Sequence, residues 1–163
     1  MNRLWAPWRT KYVTYVIKQS KRCVFCKILK EKNDTKNYIF IRRLQTFSVL
    51  NLYPYNNGHS LILPSRHVDD FDKLSEQERR ELFDLLGGTK RLLDEVLKPE
   101  GYNIGVNLGR IAGAGFPDHL HIHLVPRWKG DVNFMPVIGG TKVISQSLNI
   151  LYKQLIDAQK RRH

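Results

Sequence analysis

Three histidines alternate with apolar residues in His119-Leu120-His121-Ile122-His123-Leu124-Val125-Pro126. Side chains alternate across a β-strand, so this spelling puts the imidazoles on one face and Leu120, Ile122 and Leu124 on the other. Neighbouring imidazoles then lie about 7 Å apart along the strand. Three kinds of chemistry suit such a row. The plainest is a wetted strand face, although threonine or lysine would serve there without a group that titrates near neutrality. The second is a three-histidine metal centre, which a flat strand disfavours because three side chains in a row diverge. The third is nucleophilic catalysis: a neutral imidazole attacks phosphorus near pH 7 without a separate base. Nearby, Gly109 to Asp118 carries three glycines, and successive main-chain N–H groups in such a loop can hold phosphate oxygens. The third reading accounts for the most residues.

The elements that must position these groups can be read from pattern. Tyr38 to Ile41, Thr46 to Leu52, His59 to Leu63, Tyr102 to Asn107 and His119 to Pro126 read as strands, with Pro54-Tyr55-Asn56-Asn57-Gly58 as a turn. A long helix is expected from about Leu74 to Lys98, opened by a capping box of Ser75 and Glu78 and carrying Leu82, Leu85, Leu86, Leu93 and Val96 at helical spacing. Gly87-Gly88 inside it costs about 1 kcal/mol per glycine relative to alanine, which predicts a tight packing contact or a kink there. Ser145 to Gln159 reads as a docked C-terminal helix, Tyr12 to Lys18 as helix-like, and Cys23 to Lys30 as a short knuckle. Trp5 and Trp8 are expected to pack onto the domain. Strands in meander-like order with one long helix predict an α+β fold, the helix covering one face of an antiparallel sheet.

The run His-apolar-His-apolar-His-apolar-apolar resembles the signature of the histidine-triad (HIT) superfamily of nucleotide hydrolases and transferases. Asn51 before Pro54, then Gly58-His59 and Leu61-Ile62-Leu63-Pro64, is similar to that family's first nucleotide-binding strand, turn and second strand. Asn107-Leu108-Gly109 and Ala112-Gly113 resemble its approach to the triad. Leu4-Trp5-Ala6-Pro7-Trp8-Arg9 together with Pro126-Arg127-Trp128 looks like the branch that cleaves diadenosine polyphosphates, particularly its bacterial phosphorylase-like members.

The resemblance implies a HIT-like fold and a role for each matching residue. His121 would attack the α-phosphorus and become a nucleotidyl-histidine, and His123 would hydrogen-bond the α-phosphate region. Asn51 would contact the ribose, with His59 supporting that strand and turn. Asn107 and the backbone of Gly113 to Gly115 would hold phosphate oxygens, and Trp128 would line the substrate groove. The chain departs from the pattern at Gly113-Ala114-Gly115-Phe116-Pro117-Asp118. Many members carry a glutamine or a hydroxyl residue there, so help for the leaving group must come from backbone, water or another segment. Phosphorylase and hydrolase remain open, as do a phosphoramidase or uridylyl-transferring relative. The resemblance further implies an adenine nucleotide or dinucleoside polyphosphate substrate and a homodimer.

Cys23 and Cys26 have zinc-knuckle spacing. A redox dithiol or a pair of packed thiols fits the same spacing. In zinc-containing members of the family the remaining ligands are a histidine in the region of His67 and the histidine two before the nucleophile. The resemblance therefore implies a closed, structural Zn2+ site of Cys23, Cys26, His67 and His119.

Among 163 residues, 27 lysines and arginines face 15 acids, a net charge of +12 that attracts polyanions without choosing among them. The basic residues are scattered rather than gathered into a tract with interleaved aromatics, which argues against a dedicated nucleic-acid module and for a small nucleotide. At 42% hydrophobic and 26% charged residues the composition excludes a disordered chain or a coiled-coil rod. No apolar run reaches the roughly 20 residues of a membrane helix, and Met1 to Arg9 lacks a secretory apolar segment. The expectation is a cytoplasmic single domain: residues 1–30 an extension with the cysteine knuckle, 31–128 the core, and 129–163 a segment ending in a helix.

Overall fold

The computed structural model describes residues 23–131 and 143–162. Trp5, Trp8, the helix expected over 12–18, residues 132–142 and His163 lie outside the described residues. The elements run α1 (Val24–Glu31), α2 (Asp34–Asn37), β1 (Ile39–Arg42), β2 (Thr46–Leu50), β3 (Ser60–Pro64), α3 (Glu76–Leu97), β4 (Gly101–Val106), β5 (Ile122–Arg127) and α4 (Leu148–Lys160), with a 3-10 turn at Phe71–Lys73 before α3. The strands form one antiparallel sheet in the order β1-β2-β3-β5-β4. This is the expected α+β architecture.

Alternation in the strands gives the sheet two buried faces. Phe40, Leu50, Ile62, Ile122 and Leu124 point to the side covered by α3 and α4, where Leu82, Leu85, Leu92, Leu93, Leu151 and Leu155 close the main core. Ile39, Phe47, Val49, Leu61 and Leu63 point to the other side, where Phe25 of α1 caps a smaller cluster. The sequence reading placed helices on one face only. The segment it took for a knuckle is the helix that covers part of the second face, because Phe25, Ile28 and Leu29 fall on one side of it.

Both halves of the α3 capping box form: the Ser75 hydroxyl accepts from the Glu78 N–H, and the Glu78 carboxylate accepts from the Ser75 N–H. The helix runs through Gly87-Gly88 without a break. A Cβ at either glycine would meet only guanidinium nitrogens of Arg91 and Arg43, 3.5 and 3.4 Å away. The tight packing contact expected there is absent, because these half-buried glycines lie against arginine side chains.

Glu78 does a second job. Arg66 reaches it with two guanidinium nitrogens at 2.9 and 2.8 Å and also donates to the Lys73 carbonyl at 2.6 Å. The segment between β3 and α3 is thus tied to the helix N-terminus. The Arg66 guanidinium, ahead of the Ser75 N–H, holds the Glu78 carboxyl at about 2, below its ordinary 4.5. A carboxylate whose pKa is lowered in the folded state adds stability above its unfolded pKa, and that stability is lost as pH falls towards the folded value. Glu78→Gln should therefore lower the urea midpoint at neutral pH. The gap between parent and variant should close as the pH falls from about 4.5 towards 2.

Candidate active site and the adjoining cysteine–histidine cluster

The β5 ladder begins at Ile122, later than the spelling predicts. His119, Leu120 and His121 stand outside it because their polar groups are spent elsewhere. The Leu120 N–H donates to the Val68 carbonyl at 2.6 Å, and His121 Nδ1 lies 2.7 Å from the His119 carbonyl. A carbonyl only accepts, so His121 Nδ1 carries the proton and Nε2 keeps a bare lone pair. The His121 side chain is buried, and that burial, partly opposed by the carbonyl bond, lowers its pKa. The ring is a neutral imidazole with its basic nitrogen uncommitted.

A second chain of bonds fixes His123. The Tyr55 N–H donates to His59 Nδ1 at 3.0 Å, so the neutral His59 ring carries its proton on Nε2. That Nε2 lies 2.9 Å from His123 Nδ1, which must accept, leaving the His123 proton on Nε2. The rings of His121 and His123 meet edge to face with centroids 4.9 Å apart. A bare nitrogen and an N–H donor therefore sit side by side, the pairing needed to attack a phosphorus and hold one of its oxygens.

The turn before β3 aims His59 at this pair. Gly58 has φ +76°, and a Cβ there would stand 2.5 Å from Leu97 and 3.0 Å from Pro126, so the position admits only glycine without rearrangement. The Asn56 side chain donates to the Pro126 carbonyl and to Asp131, binding the turn to the end of β5. Asn51 donates towards His59 at 3.3 Å while its side-chain oxygen accepts from the Tyr53 N–H.

The other expected residues are placed by register and loop. Val106 pairs with Ile122 at the end of the β4–β5 ladder, and Asn107 follows directly. Gly105 is opposite His123 and sets no side chain beside it. Gly113 is exposed with φ +87°, and Gly115 is half-buried ahead of Phe116, whose ring packs edge-on against Phe25 at 5.2 Å. Trp128 follows β5 directly, its main-chain N–H bonded to Asp131. Among the described residues no ring contact joins Trp128 to the histidines.

Cys23, Cys26, His67 and His119 converge, their ligand atoms all within 4.8 Å of one another. Cys23 Sγ is 3.3 Å and Cys26 Sγ 3.7 Å from His119 Nδ1, and Cys26 Sγ is 3.4 Å from His67 Nδ1. Sulfur about 2.3 Å and nitrogen about 2.0 Å from a tetrahedral zinc are separated by about 3.5 Å, so the cluster is compatible with that metal. His119 Nε2 donates to the Pro64 carbonyl at 2.9 Å, which turns Nδ1 towards the sulfurs. Burial pushes His119 down to about 4 against the pull of that carbonyl, keeping its lone pair available at neutral pH. Burial and the neighbouring Cys23 push the Cys26 thiol up, so two thiolates side by side require a cation between them.

A family model described as HIT domain matches residues 32–130. The chain belongs to the HIT family. AP-4-A phosphorylase from Mycobacterium tuberculosis is 39% identical over 155 residues, covering 91% of this chain and 79% of that protein. An adenosine 5'-monophosphoramidase from Schizosaccharomyces pombe is 30% identical over 105 residues, covering 64% of this HIT chain and 74% of that protein. The crystal structure of a zinc-bound histidine triad family protein from Mycobacterium smegmatis shares the HIT fold, with a TM-score of 0.69 at 23% identity over 86% of this chain and 94% of that chain.

The sequence reading missed Tyr55, Phe25 and the Pro64 carbonyl. Tyr55 had a signal, being an aromatic residue in an otherwise polar turn. The carbonyl had none, since a main-chain acceptor is invisible in residue types. The imidazole tautomers are directly measurable: nitrogen NMR of the labelled HIT protein should show Nδ1–H for His121 and Nε2–H for His59 and His123. Nε2–H on His121 would contradict the arrangement.

Proposed function

We propose that this chain transfers a nucleotidyl group, adenylyl by its relatives, from a dinucleoside polyphosphate such as diadenosine tetraphosphate to His121, and then to inorganic phosphate or water. The observation that carries the reading is the His121 ring itself, with Nδ1–H bound to the His119 carbonyl and Nε2 bare. Similarity to an AP-4-A phosphorylase over most of both chains supports the substrate class.

In the first step His121 Nε2 attacks the α-phosphorus. The N–P bond forms, the bridging P–O bond breaks, and the nucleoside polyphosphate leaves with the electron pair. The imidazole becomes cationic as it bonds to phosphorus, and the His119 carbonyl on Nδ1–H stabilises that charge. His123 Nε2–H donates to a non-bridging oxygen as negative charge builds there, assisted by Asn107 and the main-chain N–H groups of Gly113 and Gly115. A spare lone pair on the Asn51 side-chain oxygen suits a ribose hydroxyl, and Trp128 borders the groove. In the second step an oxygen of phosphate or water attacks phosphorus from the opposite side, and the N–P bond breaks.

Cys23, Cys26, His67 and His119 would hold Zn2+, which supplies no reaction step and crosslinks α1, the β3–α3 segment and the approach to β5. A thiol pair kept for a metal suits the reducing cytoplasm. The exposed Asn103, Ile104 and Gly105 on the edge strand β4 suit the contact of a homodimer.

His121→Ala should lower kcat by 10³-fold or more, on the order seen when a nucleophile is deleted, and leave nucleotide binding largely intact. Turnover at a substantial fraction of wild type would overturn covalent catalysis at this residue. Chromatography of products from diadenosine tetraphosphate separates the acceptors: ADP with ATP only when phosphate is present marks phosphorolysis, and AMP with ATP marks hydrolysis. Metal analysis should find about one zinc per chain, with Cys23→Ser or Cys26→Ser lowering both metal content and Tm.

A further inference from the structure

Tyr55 touches the histidine pair in two ways. Its main-chain N–H donates to His59 Nδ1 at 3.0 Å. Its ring lies over His59 at a centroid distance of 4.6 Å and 37°, and nearly parallel to His123 at 5.8 Å and 18°. Among the described residues Tyr55 belongs to neither apolar cluster. We propose that Tyr55 is a positioning residue that clamps His59 and His123 in one orientation, so that His123 presents Nε2–H to the transferred phosphoryl group. The proposal rests on the reading of His121 and His123 as the reacting pair.

The need for a clamp follows from the surroundings of His123. The residue is half-buried, and its partner on the open side of the sheet is Gly105, which offers no side chain to pack against the ring. A histidine ring can turn about χ2 through two broad, nearly equivalent wells that exchange its nitrogens and carbons. A half-turn of His123 would move Nδ1 away from the His59 donor and Nε2–H away from its target. Among the described residues the contacts that oppose that turn include His59 Nε2–H on Nδ1, the His121 ring edge-on at 4.9 Å, and the Tyr55 ring along the face of His123. Of these, the Tyr55 ring acts through its face rather than through a ring nitrogen. An aromatic contact of this kind biases an equilibrium by about two- to tenfold.

The kinetic signature follows from when the His123 donor matters. A donor aimed at charge that develops during transfer acts mainly on the transition state, so its misorientation lowers kcat and leaves KM nearly unchanged. A tyrosine that instead stacked on a nucleobase would act on substrate affinity and appear in KM.

The test uses the full chain with Tyr55→Leu and Tyr55→Phe, assayed on diadenosine tetraphosphate with inorganic phosphate. Tyr55→Leu should lower kcat by about two- to tenfold with KM unchanged, and Tyr55→Phe, which keeps the ring, should recover kcat. In nitrogen NMR, His123 should show Nε2–H alone in the parent and in Tyr55→Phe, and a mixture of tautomers in Tyr55→Leu. If Tyr55→Leu does not fold, Tyr55→Gln carries the same comparison with a polar side chain at this partly exposed position. Unchanged kcat and an unchanged His123 tautomer would overturn the proposal, and so would an effect confined to KM. A parent inactive on every dinucleoside polyphosphate would instead sink the proposed reaction, while the NMR comparison would still decide whether Tyr55 holds the ring.

Discussion

The bond from His121 Nδ1 to the main-chain oxygen of His119, 2.7 Å long, is the constraint to which the rest of the site conforms. It leaves the bare lone pair on the opposite nitrogen, and it goes with the chain leaving the β-ladder just before Ile122. The departure is affordable because Leu120 finds another acceptor in Val68 while its side chain stays in the main core. It also swings the His119 ring away from the strand row into the cysteine cluster, where Pro64 fixes its orientation. One residue thereby joins two sites, its side chain serving one and its carbonyl the other.

What could be read in advance was what depends on near neighbours in the chain. The Ser75–Glu78 box is a four-residue signal and forms as spelled. The alternation at 119–123 marked the three histidines, but not that the strand begins three residues late and that His119 leaves their row, because the competing acceptors at Val68 and His119 are main-chain groups. The cysteine spacing drew attention away from Phe25, Ile28 and Leu29, whose helical pattern was equally legible and makes Cys23 to Lys30 a helix rather than a knuckle. Gly87-Gly88 was misread because sequence cannot tell which way a helix face points, and here it faces two arginines.

The contacts that sequence could not supply are those between distant segments. Arg66 and His67 are adjacent in the chain but face different tasks: Arg66 grips Glu78 and the Lys73 carbonyl, while His67 turns to Cys26. The ion pair anchors the short stretch from which His67 reaches the cluster, although His67 itself is exposed. Most other ion pairs join exposed side chains near in sequence, such as Lys90 with Asp94 and Lys73 with Asp69, and contribute little individually. The large positive charge is accordingly a property of the surface, and the fold rests on its two apolar layers.

The order β1-β2-β3-β5-β4 has a consequence for how the molecule is made. Every strand contact but one joins consecutive strands; the exception is β3 against β5, across the whole of α3 and β4. The His59–His123 bond crosses that seam directly, and Cys23 meets His119 at a separation of 96 residues. Closing such long loops is the slow, entropically demanding part of folding. The meander of β1 to β3 and the hairpin of β4 and β5 can each form early from local contacts, yet His59 belongs to the first and His121 and His123 to the second. The bond that orients His123 comes into being only when the two halves zip together, so the imidazole pair of the second half is held in one orientation only after the long loop has closed.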